Sequence, residues 1–106
     1  PLTDPLTDAE IEGEYEKNTG KVIVRRFLNL DPTAVPGVLV QGHAPFTWGK
    51  TPAAAAYNAV ILEYVARLAY RTQLVNADAV PVSDALSRRH YNRKHGKSAT
   101  YGQQAI

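Results

Sequence analysis

Three histidines and six tyrosines carry most of the chemistry available to this chain, which has no cysteine. Thiol catalysis, disulfides and Cys-based zinc sites are therefore excluded. The residue best placed for chemistry is His43. It follows the apolar run Gly37-Val38-Leu39-Val40 and Gln41-Gly42, and precedes Ala44-Pro45-Phe46-Thr47-Trp48-Gly49. An imidazole at the end of a short strand, next to a tight turn, sits on fixed backbone and reaches outward. Metal ligation, proton transfer and a hydrogen-bonded structural role are all open to it on this pattern alone.

A second set lies near the end of the chain: His90-Tyr91-Asn92-Arg93-Lys94-His95-Gly96, then Tyr101-Gly102-Gln103. After Asp84 there is no acid, while Arg88, Arg89, Arg93, Lys94 and Lys97 follow. Such a basic tail suits a phosphate, a nucleic acid, an acidic partner or simply a solvated helix face. The net charge of +2 is too small to argue for nucleic acid.

Elements to hold these residues can be read from caps and breakers. The start repeats Pro-Leu-Thr-Asp twice, at residues 1–4 and 5–8, which is too short for a repeat architecture. Thr7 with Glu10 fits a capping box, so a helix is expected from about Asp8 through Ile11 and Tyr15, with Gly20 ending or kinking it. Lys21 to Asn29 fits a helix or a strand. The spacing of Ile23, Phe27 and Leu30 favours a helix. Asp31-Pro32 and Val35-Pro36-Gly37 are loop punctuation. Val38 to Gln41 is expected as a buried strand, followed by a corner and a second short strand or turn from Phe46. Phe46 and Trp48 are expected in the core.

Thr51 then caps, Pro52 occupies a first helical position, and a long helix runs from about Ala53 to Leu74 or Val75. Its only charges, Glu63, Arg67 and Arg71, form one stripe at a spacing of four. Its other faces are apolar or small, which calls for cover on several sides. Ser83 caps a last helix from Asp84 to about Lys94, closed by Gly96, and Lys97 to Ile106 reads as a polar, partly extended tail. A strand or two cannot cover the long helix, because isolated strand pairs are marginal in water. The chain is therefore expected to be part of a larger fold, and a start at Pro1 rather than Met agrees with processing or with a longer parent. No apolar run approaches the roughly 20 residues of a membrane span, and no leader pattern is evident. A soluble, cytoplasmic setting is the expectation.

These blocks, with Thr7-Asp8-Ala9-Glu10-Ile11, Gly13-Glu14-Tyr15-Glu16 and Ala56-Tyr57-Asn58-Ala59-Val60-Ile61-Leu62-Glu63, resemble the class II aldolase/adducin superfamily over nearly the whole chain. The Pro-Gly-Val-Leu-Val to His-x-Pro-Phe-x-Trp-Gly block carries the superfamily likeness. The His-Tyr-x-Arg-Lys-His-Gly and Tyr-Gly-Gln tail resembles its sugar-phosphate 4-epimerase branch. The resemblance implies an α/β/α sandwich, of which residues 1–106 would be the C-terminal part of a single domain: a strand or two plus three to four helices, without the N-terminal part. It implies a homotetramer and a sugar-phosphate substrate, with C4 epimerisation of a ketopentose 5-phosphate by retro-aldol and aldol steps. It further implies a divalent metal, usually zinc, held by His43 and by two His upstream of this chain.

By the same resemblance Tyr101 is a catalytic acid/base acting in a neighbouring subunit's site, and His90 orients an upstream Asp. Arg93 supplies charge to that region and Glu16 lies near the site. A metal on neutral imidazoles stabilises an oxyanion directly, and a tyrosine acting near neutrality needs a cation or metal to help it. The chain departs from the family pattern at Gln41-Gly42, where His-Ser is common, and at Ala44, where Gly is common. Two other readings stand beside the epimerase: a related sugar-phosphate aldolase, and a non-enzymatic, adducin-like interaction module.

Overall fold

The computed structural model describes residues 1–101, and the elements run in the order helix, helix, strand, strand, helix, helix. These are α1 (Asp8–Glu12), α2 (Tyr15–Arg26), β1 (Gly37–Leu39), β2 (Pro45–Thr47), α3 (Pro52–Val75) and α4 (Asp84–His95). The mixture of helices with a small antiparallel sheet is the α/β class expected of a piece of a class II aldolase fold. The chain divides into two units, the first Pro1–Arg71 and the second from Thr72 onward. Among the described residues no helix is long and apolar enough to cross a membrane.

In the first unit α1 starts where the cap chemistry demands. The Thr7 side chain accepts from the Glu10 backbone N–H at 3.2 Å, and the Glu10 carboxylate accepts from the Thr7 N–H at 2.8 Å. The helix does not run on to Gly20 as the sequence suggested. It stops at Gly13, whose N–H donates to the Ala9 carbonyl at 3.1 Å, and α2 begins two residues later. Gly20 lies inside α2, with nothing near where a Cβ would stand. The missed signal is Gly13 itself, one turn after the capping box. Asn18 stitches the corner by donating to the Glu10 carbonyl at 3.0 Å. The ambiguous stretch from Lys21 is helical as far as Arg26, in keeping with its spacing.

The strands pair antiparallel, with Gly37 opposite Thr47, Val38 opposite Phe46 and Leu39 opposite Pro45. The first copy of Pro-Leu-Thr-Asp lies along the other edge of β1. Thr3 donates its N–H to the Leu39 carbonyl and Leu39 donates to the Pro1 carbonyl, each at 2.9 Å. This added segment reinforces a pair of three-residue strands that would be marginal alone. The buried apolar residues are Val22, Val38 and Val40, and Thr3 and Thr19 are buried with them. Both threonines bond their hydroxyls: Thr19 donates to the Tyr15 carbonyl at 2.9 Å, and Thr3 accepts from the Gln41 N–H at 3.2 Å. Burial without unpaired hydroxyls is what makes these positions tolerable for a polar side chain.

Trp48 half-buries itself against Phe27, rings edge-on at 5.3 Å, and its indole N–H donates to the Pro32 carbonyl at 2.8 Å. Phe46, a core residue on the sequence pattern, is not in the core; 38% of its surface is exposed. It extends from β2, which among the described residues pairs with β1 alone.

Thr51 caps α3 by accepting from the Ala54 N–H at 3.1 Å. The start of the helix is fastened to the hairpin. Thr47 donates its hydroxyl to the Ala55 carbonyl at 3.0 Å, and Asn58 donates to the Trp48 carbonyl at 2.7 Å. Gly49 allows this close approach: a Cβ there would meet the Ala54 Cβ at 2.7 Å and the Ala55 nitrogen at 2.9 Å. Glu63 and Arg67 pair at 2.9 Å in the expected stripe. Yet none of the 24 residues of α3 is buried. Tyr57, Val60, Tyr64, Val65, Leu68 and Leu74 are all exposed. Among the described residues nothing buries these apolar faces.

The second unit is simpler. Ser83 caps α4 by accepting from the Leu86 N–H at 3.3 Å, and Arg93, Lys94 and His95 lie in the last turn, where they complement the helix dipole. Gly96 closes the helix, its N–H bonding the Asn92 carbonyl at 2.9 Å. The start of the tail, expected as partly extended, turns instead: Ala99 donates to the Gly96 carbonyl and Thr100 to the Arg93 carbonyl.

Candidate metal and acid–base residues

His43 stands on the turn between β1 and β2. Its backbone N–H donates to the Val40 carbonyl at 3.0 Å, which closes the turn. Gly42 takes a φ of 72°, the left-handed region where a side chain would be strained. The hydroxyl of Thr3, bonded to the Gln41 N–H, holds the turn from beneath. The imidazole is exposed. Its Nδ1 accepts from the Ala44 N–H at 2.6 Å and lies 3.4 Å from the Ala44 carbonyl. Both contacts are on one side of the ring, so Nε2 is the nitrogen left for an external partner. An exposed imidazole on fixed backbone fits a metal as a single ligand in the tautomer that protonates Nδ1 and leaves the Nε2 lone pair free. Among the described residues no group of three or more His, Cys, Asp or Glu could hold a metal ion together. His43 therefore fits as one member of a ligand set, and a complete site needs donors from elsewhere.

Glu16 lies in the first turn of α2 and is exposed. Its neighbour Tyr15 places its ring 6.3 Å from that of His43, so the start of α2 lies beside the turn. Phe46 stacks on the imidazole as well, 5.4 Å between centroids with the planes 24° apart. The sequence pattern assigns Phe46 to the core and gives Tyr15 no role. Neither contact is legible there, because only the folded turn brings these rings together.

In the second unit His90 is exposed on α4, with Arg93 one turn further along. The Arg93 guanidinium carbon lies 5.6 Å from the centroid of the Tyr101 ring, a cation–π contact. Since Arg93 also takes the Thr100 N–H on its carbonyl, it holds the Tyr101 stretch at two points. Arg89, Asn92, Arg93, Gly96, Lys97 and Ser98 line an open hollow of about 550 Å³. The basic run seen in the sequence thus places three of its cations around one concavity. Gly102 and Gln103, which complete the Tyr-Gly-Gln pattern, lie outside the described residues. The five candidates fall in two groups: His43 and Glu16 in the first unit, His90, Arg93 and Tyr101 in the second.

Two carboxylates outside these groups have lowered pKa values. Glu10 is held down by the Thr7 N–H and hydroxyl, then by Arg25, and Asp31 by the hydroxyl and N–H of Thr33. Both serve local turns and caps rather than a reactive centre.

Comparison with known proteins gives a consistent picture. The chain is 45% identical over 103 residues to the L-ribulose-5-phosphate 4-epimerase UlaF of Salmonella paratyphi A, a match covering 97% of this chain and 45% of that protein. The UlaF proteins of Salmonella typhi and Salmonella paratyphi C match at 45% and 44% with the same coverage. The chain thus spans a little under half the length of these curated relatives. Residues 5–70, which include the capping box, both strands, His43 and most of α3, match the family described as Class II Aldolase and Adducin N-terminal domain, and the chain belongs to that family.

Proposed function

We propose that this chain is the C-terminal part of a single class II aldolase-type domain, and that the full-length parent is a cytoplasmic, homotetrameric, zinc-dependent enzyme. The parent would convert L-ribulose 5-phosphate to D-xylulose 5-phosphate by epimerisation at C4. The 45% identity to L-ribulose-5-phosphate 4-epimerases over nearly the whole chain carries this reading. The exposed His43 on its rigid turn supports it.

When bound, a divalent metal supplies Lewis-acid stabilisation of the oxyanion left by C3–C4 cleavage. Within this chain His43 would hold the metal through Nε2, which requires Nδ1 to carry the ring proton and to face the Ala44 carbonyl in place of the Ala44 N–H. The two further ligands come from outside the chain. Tyr101 moves a proton at the C4 oxygen in a neighbouring subunit's site. His90 orients the acidic partner of that step, Arg93 keeps the Tyr101 stretch in place, and Glu16 lies beside the metal position. The chain alone is inactive on this reading, since it brings one ligand where three are needed.

The test uses the full-length parent and L-ribulose 5-phosphate. Tyr101→Phe should lower kcat by about 100-fold or more, in the range for a lost general acid or base. His43→Ala should lower both turnover and bound zinc. Full turnover in both variants would reject the assignment. In the 106-residue chain zinc should bind weakly, and tight 1:1 binding abolished by His43→Ala would show a more self-contained site.

A further inference from the structure

We propose that Phe46 is a positioning residue for His43, its ring fixing the plane in which the imidazole presents Nε2. The inference rests on His43 as a metal ligand, and it names the part of this chain that orients that ligand. Three observations carry it.

The first is that Phe46 is not a core residue. At 38% exposure it keeps a large apolar surface outside the only packed region of the unit among the described residues. Hydrophobic burial therefore accounts for only part of the side chain. Its defined ring contact is with His43, at 5.4 Å and 24°. The second is that His43 is exposed and would otherwise rotate freely about its side-chain torsions. The bond from the Ala44 N–H, together with the Cβ tether, sets the ring only while Nδ1 has a lone pair to accept with. A stacked face holds the ring when that bond is given up. Tyr15, at 6.3 Å and tilted by 44°, adds a looser wall.

The third concerns the two contacts of Nδ1. An N–H donated to Nδ1 at 2.6 Å needs a lone pair there, which in the neutral ring puts the proton on Nε2. Ligation through Nε2 needs the opposite tautomer, with Nδ1 donating. The Ala44 carbonyl, 3.4 Å away, is the acceptor at hand. With Nδ1 protonated, its N–H would oppose that of Ala44 at 2.6 Å, so the ring turns from the Ala44 N–H toward the Ala44 carbonyl. The face of Phe46 is the contact that keeps the imidazole in place through this change.

The experiment is nuclear magnetic resonance on the full 106-residue chain, with zinc ion alone as the probe. The ring protons of His43 should be displaced upfield relative to those of His90. Phe46→Leu should abolish that displacement and weaken zinc binding at His43 about tenfold, the usual cost of losing a ligand's supporting contact. Phe46→Tyr, which keeps a stacking face, should restore both to near wild type. Amide signals of Val38 and Thr47 report whether the hairpin persists. If Phe46→Leu loses them, Phe46→Val, better suited to a strand, replaces it.

Unchanged ring-proton positions and zinc affinity in the aliphatic variant, with the hairpin intact, would overturn the proposal. The control His43→Ala separates the two ideas. If zinc binds as well without His43, the ligand assignment fails, while the ring-proton result still decides whether Phe46 orients the imidazole.

Discussion

Helices α2 and α3 invert the usual relation between composition and burial. The shorter one, Tyr15–Arg26, is rich in charge and polar groups, yet it contributes the buried Val22 and Thr19. The longer one, Pro52–Val75, is mostly apolar or small, yet none of its residues is buried. Burial is a property of a helix and its neighbours together. In α2 the buried pair lies three residues apart on one face, and a few partners suffice to cover that stripe. The faces of α3 are broader than two short strands can cover. The apolar faces of α3 stay open among the described residues, and the curated relatives are more than twice the length of this chain.

The sharpest way to break this comparison is to place a charge on each side of it. Val38→Lys puts an unpaired cation into the small core and should cost about 3 kcal/mol or more, enough to unfold the first unit. Val60→Lys on α3 should change stability by less than about 0.5 kcal/mol, since the site is open to solvent. Urea unfolding of both variants decides the matter. Equal losses would mean that α3 is covered in solution.

The next effect tests the place where α3 does touch the rest of its unit. Gly49→Ala would drive a Cβ to 2.9 Å from the Ala55 backbone nitrogen. Strand end and helix start must then part, at a cost of roughly 1–3 kcal/mol. The measurement is again a urea midpoint. The Thr47 and Asn58 bonds to the backbone would be the first lost, seen as chemical-shift changes confined to residues near 47–58.

Capping gives the smallest effects and sharpens the comparison, because a cap is local and indifferent to cover. Thr7→Ala and Thr51→Ala should each cost about 1 kcal/mol of helix stability. They should differ with pH. Glu10 completes the box at Thr7, whereas the equivalent position after Thr51 is Ala54. The Glu10 carboxyl is held below the ordinary glutamate range by the Thr7 N–H and hydroxyl, with Arg25 adding to it. A depressed pKa stabilises the fold above the unfolded glutamate value, and that contribution is lost as pH falls through the folded one. Fraying of α1 should therefore grow on acidification, followed by circular dichroism or amide exchange. Glu10→Gln should remove the dependence, and no such dependence should arise from the Thr51 cap.

The comparison also separates what is legible in the sequence from what is not. The starts of α1, α3 and α4 are readable because Thr7, Thr51 and Ser83 are caps by their own chemistry, whereas α2 starts without a side-chain cap. The β1–β2 pair is readable from β-branched residues and Pro-Gly punctuation. The stop at Gly13 is not, since a continuing pattern through Tyr15 competes with one glycine, and the Gly13 and Asn18 bonds that settle it form only in the folded chain. Of the candidate site, the residue types and their place on turn or helix are legible. The stacking of Phe46 on His43 is not. Those residues lie three apart along the chain, and their facing depends on a left-handed glycine between strands rather than on any periodicity.

The doubled Pro-Leu-Thr-Asp sets the folding chain a problem of choice. Two identical tetrapeptides compete for one seat beside β1, and a slip of four residues would offer Leu6-Thr7 where Leu2-Thr3 now pairs. The tie is broken outside the repeat. Three residues after Thr7 stands Glu10, which closes the capping box, while three after Thr3 stands Leu6, which cannot. A slipped chain would forfeit that cap and the α1 start together. The helix cap thus acts as a proofreader of sheet register: one carboxylate, beyond the end of the second copy, tells two otherwise identical segments apart.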